Sequence, residues 1–112
     1  SRKGCQIMLS GKKVVITGGT GSLGKVLLRR ILSGEMGQPR KIVVFSRDEA
    51  KQHELRLDYS HRKMVTDDVI YNNFKQLLSF HIGDVRSFSD VCAVLQDADV
   101  VFNAAALKQV PA

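Results

Sequence analysis

Tryptophan is absent, aromatic residues make up only 6% of the chain, and two cysteines and two prolines are spread over 112 residues. Each shortage excludes something. Cys5 and Cys92 are too few and too far apart to frame a disulfide scaffold or a zinc cluster. Cys92 falls in an apolar helical pattern, which predicts a buried thiol in a reducing compartment. His53, His61 and His81 lack metal-ligand spacing, so no metal site is expected. The basic residues are scattered in pairs such as Lys12-Lys13, Arg29-Arg30, Arg40-Lys41 and Arg62-Lys63. With so few aromatics between them, they do not form a nucleic-acid surface, and no nucleic acid is expected as a partner. No apolar run approaches the roughly 20 residues needed to span a bilayer. "SRKGCQIM" starts basic but lacks the long apolar region of a signal peptide. A cytoplasmic location is therefore expected, although a longer parent could still be membrane-anchored. Acidic residues are also short, 11 against 17 Lys and Arg, and the resulting charge of +6 favours an anionic ligand such as a nucleotide or phosphate.

What is present is an alternation of buried strands and helices. "KKVVITG", Lys12 to Gly18, is β-branched, apolar and stopped by glycine. Ser22 to Ser33 carries Leu23, Val26, Leu27 and Ile31 at helical spacing, with Gly34 beyond its end. Lys41 to Ser46 reads as a second buried strand, completing a βαβ unit with a right-handed crossover. Asp48 to about His61 is a charged helix, and Met64 to Lys75 fits a short helix, a loop or an insertion. Leu77 to Ile82 is a third strand. Ser87 and Asp90 then form a capping box for a helix whose Phe88, Val91 and Leu95 share one face. Asp99 to Ala104 is a fourth strand. The fold class is α/β: a Rossmann-like doubly wound parallel sheet, strand order 3-2-1-4, with helices on both faces.

"TGGTGSLG" carries the strongest chemical signal. Gly19, Gly21 and Gly24 match the dinucleotide glycine fingerprint, and Gly18, Gly21 and Gly24 match its wider-spaced relative. Glycine is needed where the chain turns off the strand, where backbone approaches a pyrophosphate, and where helix packs on strand. The helix that follows presents free amides and a positive dipole end. A Walker loop is excluded, because Val26 follows Gly24-Lys25 in place of Ser or Thr.

At the end of the second strand a carboxylate ordinarily holds the ribose diol and repels a 2′-phosphate. Here Ser46 and Arg47 occupy that place, with Lys51 one helical turn beyond. A guanidinium fork suits phosphate, so NADP is expected over NAD. Ser46 and Glu49 also read as a capping box, and Asp48 could turn toward the ribose and restore NAD binding. After the third strand, Asp84 can accept from the adenine amino group while Val85 packs the ring; a helix-capping turn is the alternative. "NAAA", Asn103 to Ala106, offers small side chains for close cofactor approach or simply for tight packing. Lys108 is either a solvated lysine or a contact to cofactor or substrate.

Together, "ITGGTGSLGK", "VVFSRDEAKQ", "FHIGDVRS" and "NAAALKQVP" resemble the extended short-chain dehydrogenase/reductases. More narrowly, they resemble the UDP-N-acetylglucosamine 4,6-dehydratases of polysaccharide and glycan biosynthesis, over nearly the whole chain. The resemblance implies pyrophosphate contacts from Thr20, Gly21, Ser22 and Leu23. It assigns Ser46, Arg47, Asp48, Glu49, Ala50 and Lys51 to the adenosine ribose phosphate, and Asp84 and Val85 to adenine. Ala104 would lie on the nicotinamide side, and Lys108 would meet cofactor or nucleotide-sugar substrate. The implied chemistry is a lyase reaction that is redox-neutral overall: oxidation at sugar C4, loss of water across C5 and C6, and reduction at C6. Two departures stand out: Asn103 replaces an expected histidine, and Arg62 to Gln76 is longer than in the relatives.

The family's catalytic tyrosine and lysine would lie beyond Ala112, since Tyr59 and Tyr71 precede the third strand. The chain is therefore expected to be the N-terminal, NADP-binding part of a larger, homo-oligomeric protein, inactive by itself. A nucleotide-sugar 4-epimerase or reductase of the same class, or a non-catalytic NADP-sensing regulator, would share these motifs.

Overall fold

The computed structural model describes residues 8–18, 20–61 and 68–104. Strand β1 (Lys13–Thr17) leads into α1 (Ser22–Leu32), then β2 (Lys41–Ser46) and α2 (Glu49–His61). Helix α3 (Asp68–Leu77) runs directly into β3 (Leu78–Ile82), and α4 (Phe88–Leu95) precedes β4 (Val100–Asn103). The strands form one sheet in the order β3-β2-β1-β4. Every pairing is parallel, with Val15 opposite Val43 and Val101, and Phe45 opposite His81. This is the expected Rossmann-like topology.

A parallel sheet needs cover on both faces, which explains the uninterrupted apolar runs of β1 and β2. On one face Val14, Ile16, Ile42 and Val44 pack with Leu28, Ile31 and Leu32 of α1, Leu55 and Tyr59 of α2, and Ile70 of α3. On the other, Val15, Val43 and Phe45 pack with Val94, Val91 and Leu95 of α4 and with Ala98 beyond it. At the N-terminal ends of the strands, Asp99 accepts from Lys13 N–H at 2.9 Å and from the Arg40 guanidinium at 3.3 Å. The Lys13 amide, with Arg40 second among the favourable partners, holds the Asp99 carboxyl below its usual range.

Of the readings left open for Met64 to Lys75, the helix is the one formed from Asp68 onward: α3 buries Ile70 and Asn73, and Phe74 stacks on Tyr59 at 5.4 Å between centroids. Asp68 opens that helix, and residues 62–67 lie outside the described residues. Other expectations are corrected. Leu77 closes α3, so β3 starts one residue later. Cys92 is exposed, because α4 touches the sheet only along its Val91–Val94–Leu95 side. Phe88, expected on that same side, is 83% exposed. Among the described residues, no helix is long and apolar enough to cross a membrane.

Candidate functional site

The C-terminal ends of the strands define the site, as in open parallel sheets generally. Gly18 leaves β1 with a φ of +70°, a left-handed conformation that a side chain would strain. Its amide donates to Phe45 O at 3.0 Å, which ties the loop to the end of β2. Gly21 N–H closes a turn on Gly18 O, and the first helical bond of α1 runs from Lys25 N–H to Gly21 O. Gly21 caps α1 without a side-chain bond, and no acidic residue stands in the first turn. The amides of Ser22, Leu23 and Gly24 thus precede the hydrogen-bond ladder at the positive end of the helix dipole. Gly24 is buried against the sheet side of α1, whereas Ser22 and Leu23 face outward. Gly19 lies outside the described residues.

Beside this loop, Gly18, Phe45, Ser46, Arg47, Gly83, Asp84, Val85 and Arg86 line a cleft of 410 Å³. Ser46 is its structural hinge. Its hydroxyl lies 3.3 Å from the buried Thr20 hydroxyl and accepts from Asp48 N–H at 3.0 Å. Its carbonyl accepts from Gly83 N–H and from the buried Gln52 amide, which also donates to His81 O. The ends of β1, β2 and β3 are thereby fastened to one another.

The capping box expected from Ser46 and Glu49 is not formed. Ser46 remains in the strand opposite Ile82, and Asp48 caps α2 by accepting from Lys51 N–H at 3.0 Å. The discordant Asp48 carboxylate is therefore occupied at the helix terminus. Lys51 contributes its amide to that cap; Lys51 and its neighbours Glu49 and Ala50 are exposed on the first turn of α2, outside the cleft lining.

Arg47 is 69% exposed, with its Nη1 at 3.7 Å from Asp84 Oδ2. Asp84 itself is fixed on every side. Its amide donates to Asp90 Oδ2 at 3.1 Å, and its carbonyl accepts from Ser87 N–H. Asp90 therefore completes only half of the expected capping box: its amide reaches Ser87 Oγ, but its carboxylate turns to Asp84. Arg86 Nη2 donates to Asp84 Oδ2 at 2.8 Å, its Nε to both oxygens, and its amide to Oδ1 at 2.8 Å. The Arg86 side chain, then its amide, and further Arg86 and Arg47 as nearby charges lower the Asp84 carboxyl to about 2. The same contact raises the Arg86 guanidinium. Val85 is 61% exposed at the cleft wall. Arg86 was not singled out from the sequence; its signal was the two-residue spacing from Asp84, which allows one side chain to fold back on the other.

The other end of the crevice is apolar. Leu23, Leu27, Phe102, Asn103 and Ala104 line a cavity of 200 Å³. Ala104 is 2% exposed and its amide donates to Thr17 O at 2.9 Å, while Thr17 Oγ1 donates to Asn103 Oδ1 at 3.0 Å. Lys108 lies outside the described residues.

Residues 14–112 match the family described as "Polysaccharide biosynthesis protein". Among curated proteins, the chain is 43% identical over 105 residues to a protein named UDP-glucose 4-epimerase in Rickettsia conorii. It is 41% identical to the protein of that name in Rickettsia typhi. In each case the alignment covers 93% of this chain and 27% of the relative, so the chain spans about a quarter of their length. Among solved structures, it resembles one titled "X-ray structure of Pen from Bacillus thuringiensis", at 28% identity and a TM-score of 0.63, over 83% of this chain and 24% of that one.

Proposed function

We propose, since this chain belongs to the polysaccharide biosynthesis protein family of the extended short-chain dehydrogenase/reductases, that it is the NADP-holding part of a nucleotide-sugar-modifying enzyme. The observation that carries the reading is the meeting, in one 410 Å³ cleft, of Gly18 from the glycine loop with Arg47 and Asp84. Amides ahead of the α1 ladder suit a diphosphate. Arg47 is the fork for the phosphate at the adenosine end, Asp84 accepts from adenine, and Val85 covers the ring.

The donor set fits NADP better than NAD. The carboxylate nearest the end of β2, Asp48, is turned onto the α2 amides. Ser46 brings no charge, and two guanidinium groups flank the cleft. When bound, a nicotinamide dinucleotide supplies reversible hydride transfer at a sugar carbinol carbon. This part of the chain binds and orients it; Ala104, close-packed at the end of β4, leaves room for the nicotinamide side.

Two activities begin with the same oxidation at C4. In a 4,6-dehydratase, favoured by "SRDE" with "GDVR" and "AAALKQVP", the resulting ketone acidifies the C5 proton, water leaves across C5 and C6, and the hydride taken from C4 is returned at C6 with a proton at C5. In a 4-epimerase, favoured by the names of the relatives at 41–43% identity, the ketone is reduced again from its other side. The full-length protein, incubated with UDP-N-acetylglucosamine or UDP-glucose and followed by proton NMR, separates them. A 4-keto-6-deoxy product supports the dehydratase, and a C4 epimer that retains its C6 hydroxyl supports the epimerase. Neither product, together with no binding of NADP, would overturn the proposal.

A further inference from the structure

The cleft contains an apparent contradiction. A site for an extra phosphate is lined by a carboxylate, Asp84, whose Oδ2 lies 3.7 Å from the very guanidinium meant to take that phosphate. The Asp84 main chain is anchored beside Arg47, its amide by Asp90 and its carbonyl by Ser87 N–H. Left alone, it would both repel the incoming anion and pair with Arg47. Arg86 changes this balance. It meets Asp84 through Nε, Nη2 and its own amide, with the shortest contacts at 2.8 Å. It is the closer partner by nearly 1 Å, 2.8 against 3.7 Å. A bidentate guanidinium–carboxylate contact is the stronger kind, so Arg47 is left with the longer, looser one.

We infer that Arg86 is a specificity-determining residue that acts through Asp84: by neutralising that carboxylate it leaves Arg47 available to the 2′-phosphate and so sets the preference for NADP over NAD. The inference rests on the NADP reading above and deepens it. Its substance is that Arg86 works by cancelling a charge, without itself being the phosphate ligand.

The test is a double-mutant cycle on the full-length protein, reading the ratio of NADP to NAD dissociation constants by calorimetry. Any change in the adenine contact affects both cofactors and cancels from that ratio. Arg86→Gln should lower the preference for NADP by about tenfold, as expected for an uncancelled charge beside a dianion near a screened surface. Arg86→Lys, which keeps the charge, should retain most of the preference. Adding Asp84→Asn to Arg86→Gln should restore the ratio to within about threefold of the original, since the carboxylate to be neutralised is gone. Arg86 is 75% exposed, so the variants should fold, and a thermal melt checks this. A loss in Arg86→Gln that Asp84→Asn does not restore would overturn the inference, by making Arg86 a direct phosphate contact. An unchanged ratio would overturn it as well. A wild-type protein with no preference for NADP would instead remove the reading beneath it, and the inference would fall with it.

Discussion

Where β2 and β3 end, the crevice is lined by Arg47, Asp84 and Arg86 and secured by main-chain hydrogen bonds through Ser46, Gly83 and Asp84. Where β1 and β4 end, it is lined by Leu23, Leu27 and Phe102 and closed by apolar contact around Ala104. Polar groups discriminate strongly between ligands that differ by one charged group, whereas apolar walls supply affinity with little discrimination. On the proposed reading, selection between cofactors would belong to the β2–β3 end, and the β1–β4 end should treat both alike. Changes confined to one end should therefore have distinct signatures.

The largest effect is expected at Gly83, beneath the polar end. A Cβ there would sit 2.6 Å from Phe45 Cε1 and 3.0 Å from Asp90 Oδ2. Phe45 is fully buried, packed on Val94 of α4 with its ring 5.6 Å from that of His81, so the ring would have to shift to admit the new atom. Gly83→Ala should cost about 2–3 kcal/mol of stability through overpacking, read as a lowered urea midpoint of the full-length protein. It should also weaken NADP and NAD together by moving Asp84. A variant that melts like the wild type would mean that the polar end is not rigidly built, and the contrast between the two ends would lose its basis.

Next comes Arg47. Its guanidinium is mostly exposed and, among the described residues, makes only the long contact to Asp84, so removing it should leave the fold intact. Arg47→Ala should cost NADP about 1.5–3 kcal/mol, the range for a hydrogen bond to a charged group, and NAD far less. Isothermal titration with both dinucleotides decides the matter. Equal losses would show that discrimination is not confined to the β2–β3 end.

Arg47 also belongs to the part of the molecule that is legible in the sequence. Val14 to Ile16 and Ile42 to Phe45 were legible as strands because burial on both faces leaves an unbroken apolar run. The order 3-2-1-4 followed from the alternation of elements. Gly18, Ser46, Arg47 and Asp84 could be placed together because each stands just at or past the end of a strand, where chain position brings it to the cleft. The misses have a common cause: they depend on partners distant in sequence. The stretch around Asn73 fits helix, loop or insertion equally by its pattern, and only the fold shows Asn73 buried inside α3, donating to Leu32 O at 2.8 Å and accepting from Gln38 at 2.8 Å. Cys92 and Phe88 lie in a helical pattern with more apolar residues than the sheet face can cover, so periodicity alone could not say which would remain outside. The Ser46 and Glu49 spacing allowed a cap, but sheet pairing with Ile82 claims Ser46 first.

The smallest effect concerns pH, and it separates the two ends most cleanly. The Asp84 carboxyl lies at about 2, below an ordinary 3.8, chiefly through its bond to the Arg86 side chain. A carboxyl lowered on folding stabilises the folded state above its unfolded value and loses that contribution as pH falls through its folded one. The window therefore runs downward from about 4 to about 2. The effect on global stability should be slight, because the group is open to solvent and screened. The titration itself should be plain: carbon-13 NMR of the Asp84 carboxyl should place its midpoint near 2, and Arg86→Gln should move it up toward 3.8. Among the described residues, the apolar end is lined by Leu23, Leu27, Phe102, Asn103 and Ala104, none of them ionisable. If Asp84 in the wild type titrated in the ordinary range, the Asp84–Arg86 contact would not persist in solution. The carboxylate would then face Arg47 unneutralised, and the polar end would have to be assembled by the ligand and would not be waiting for it.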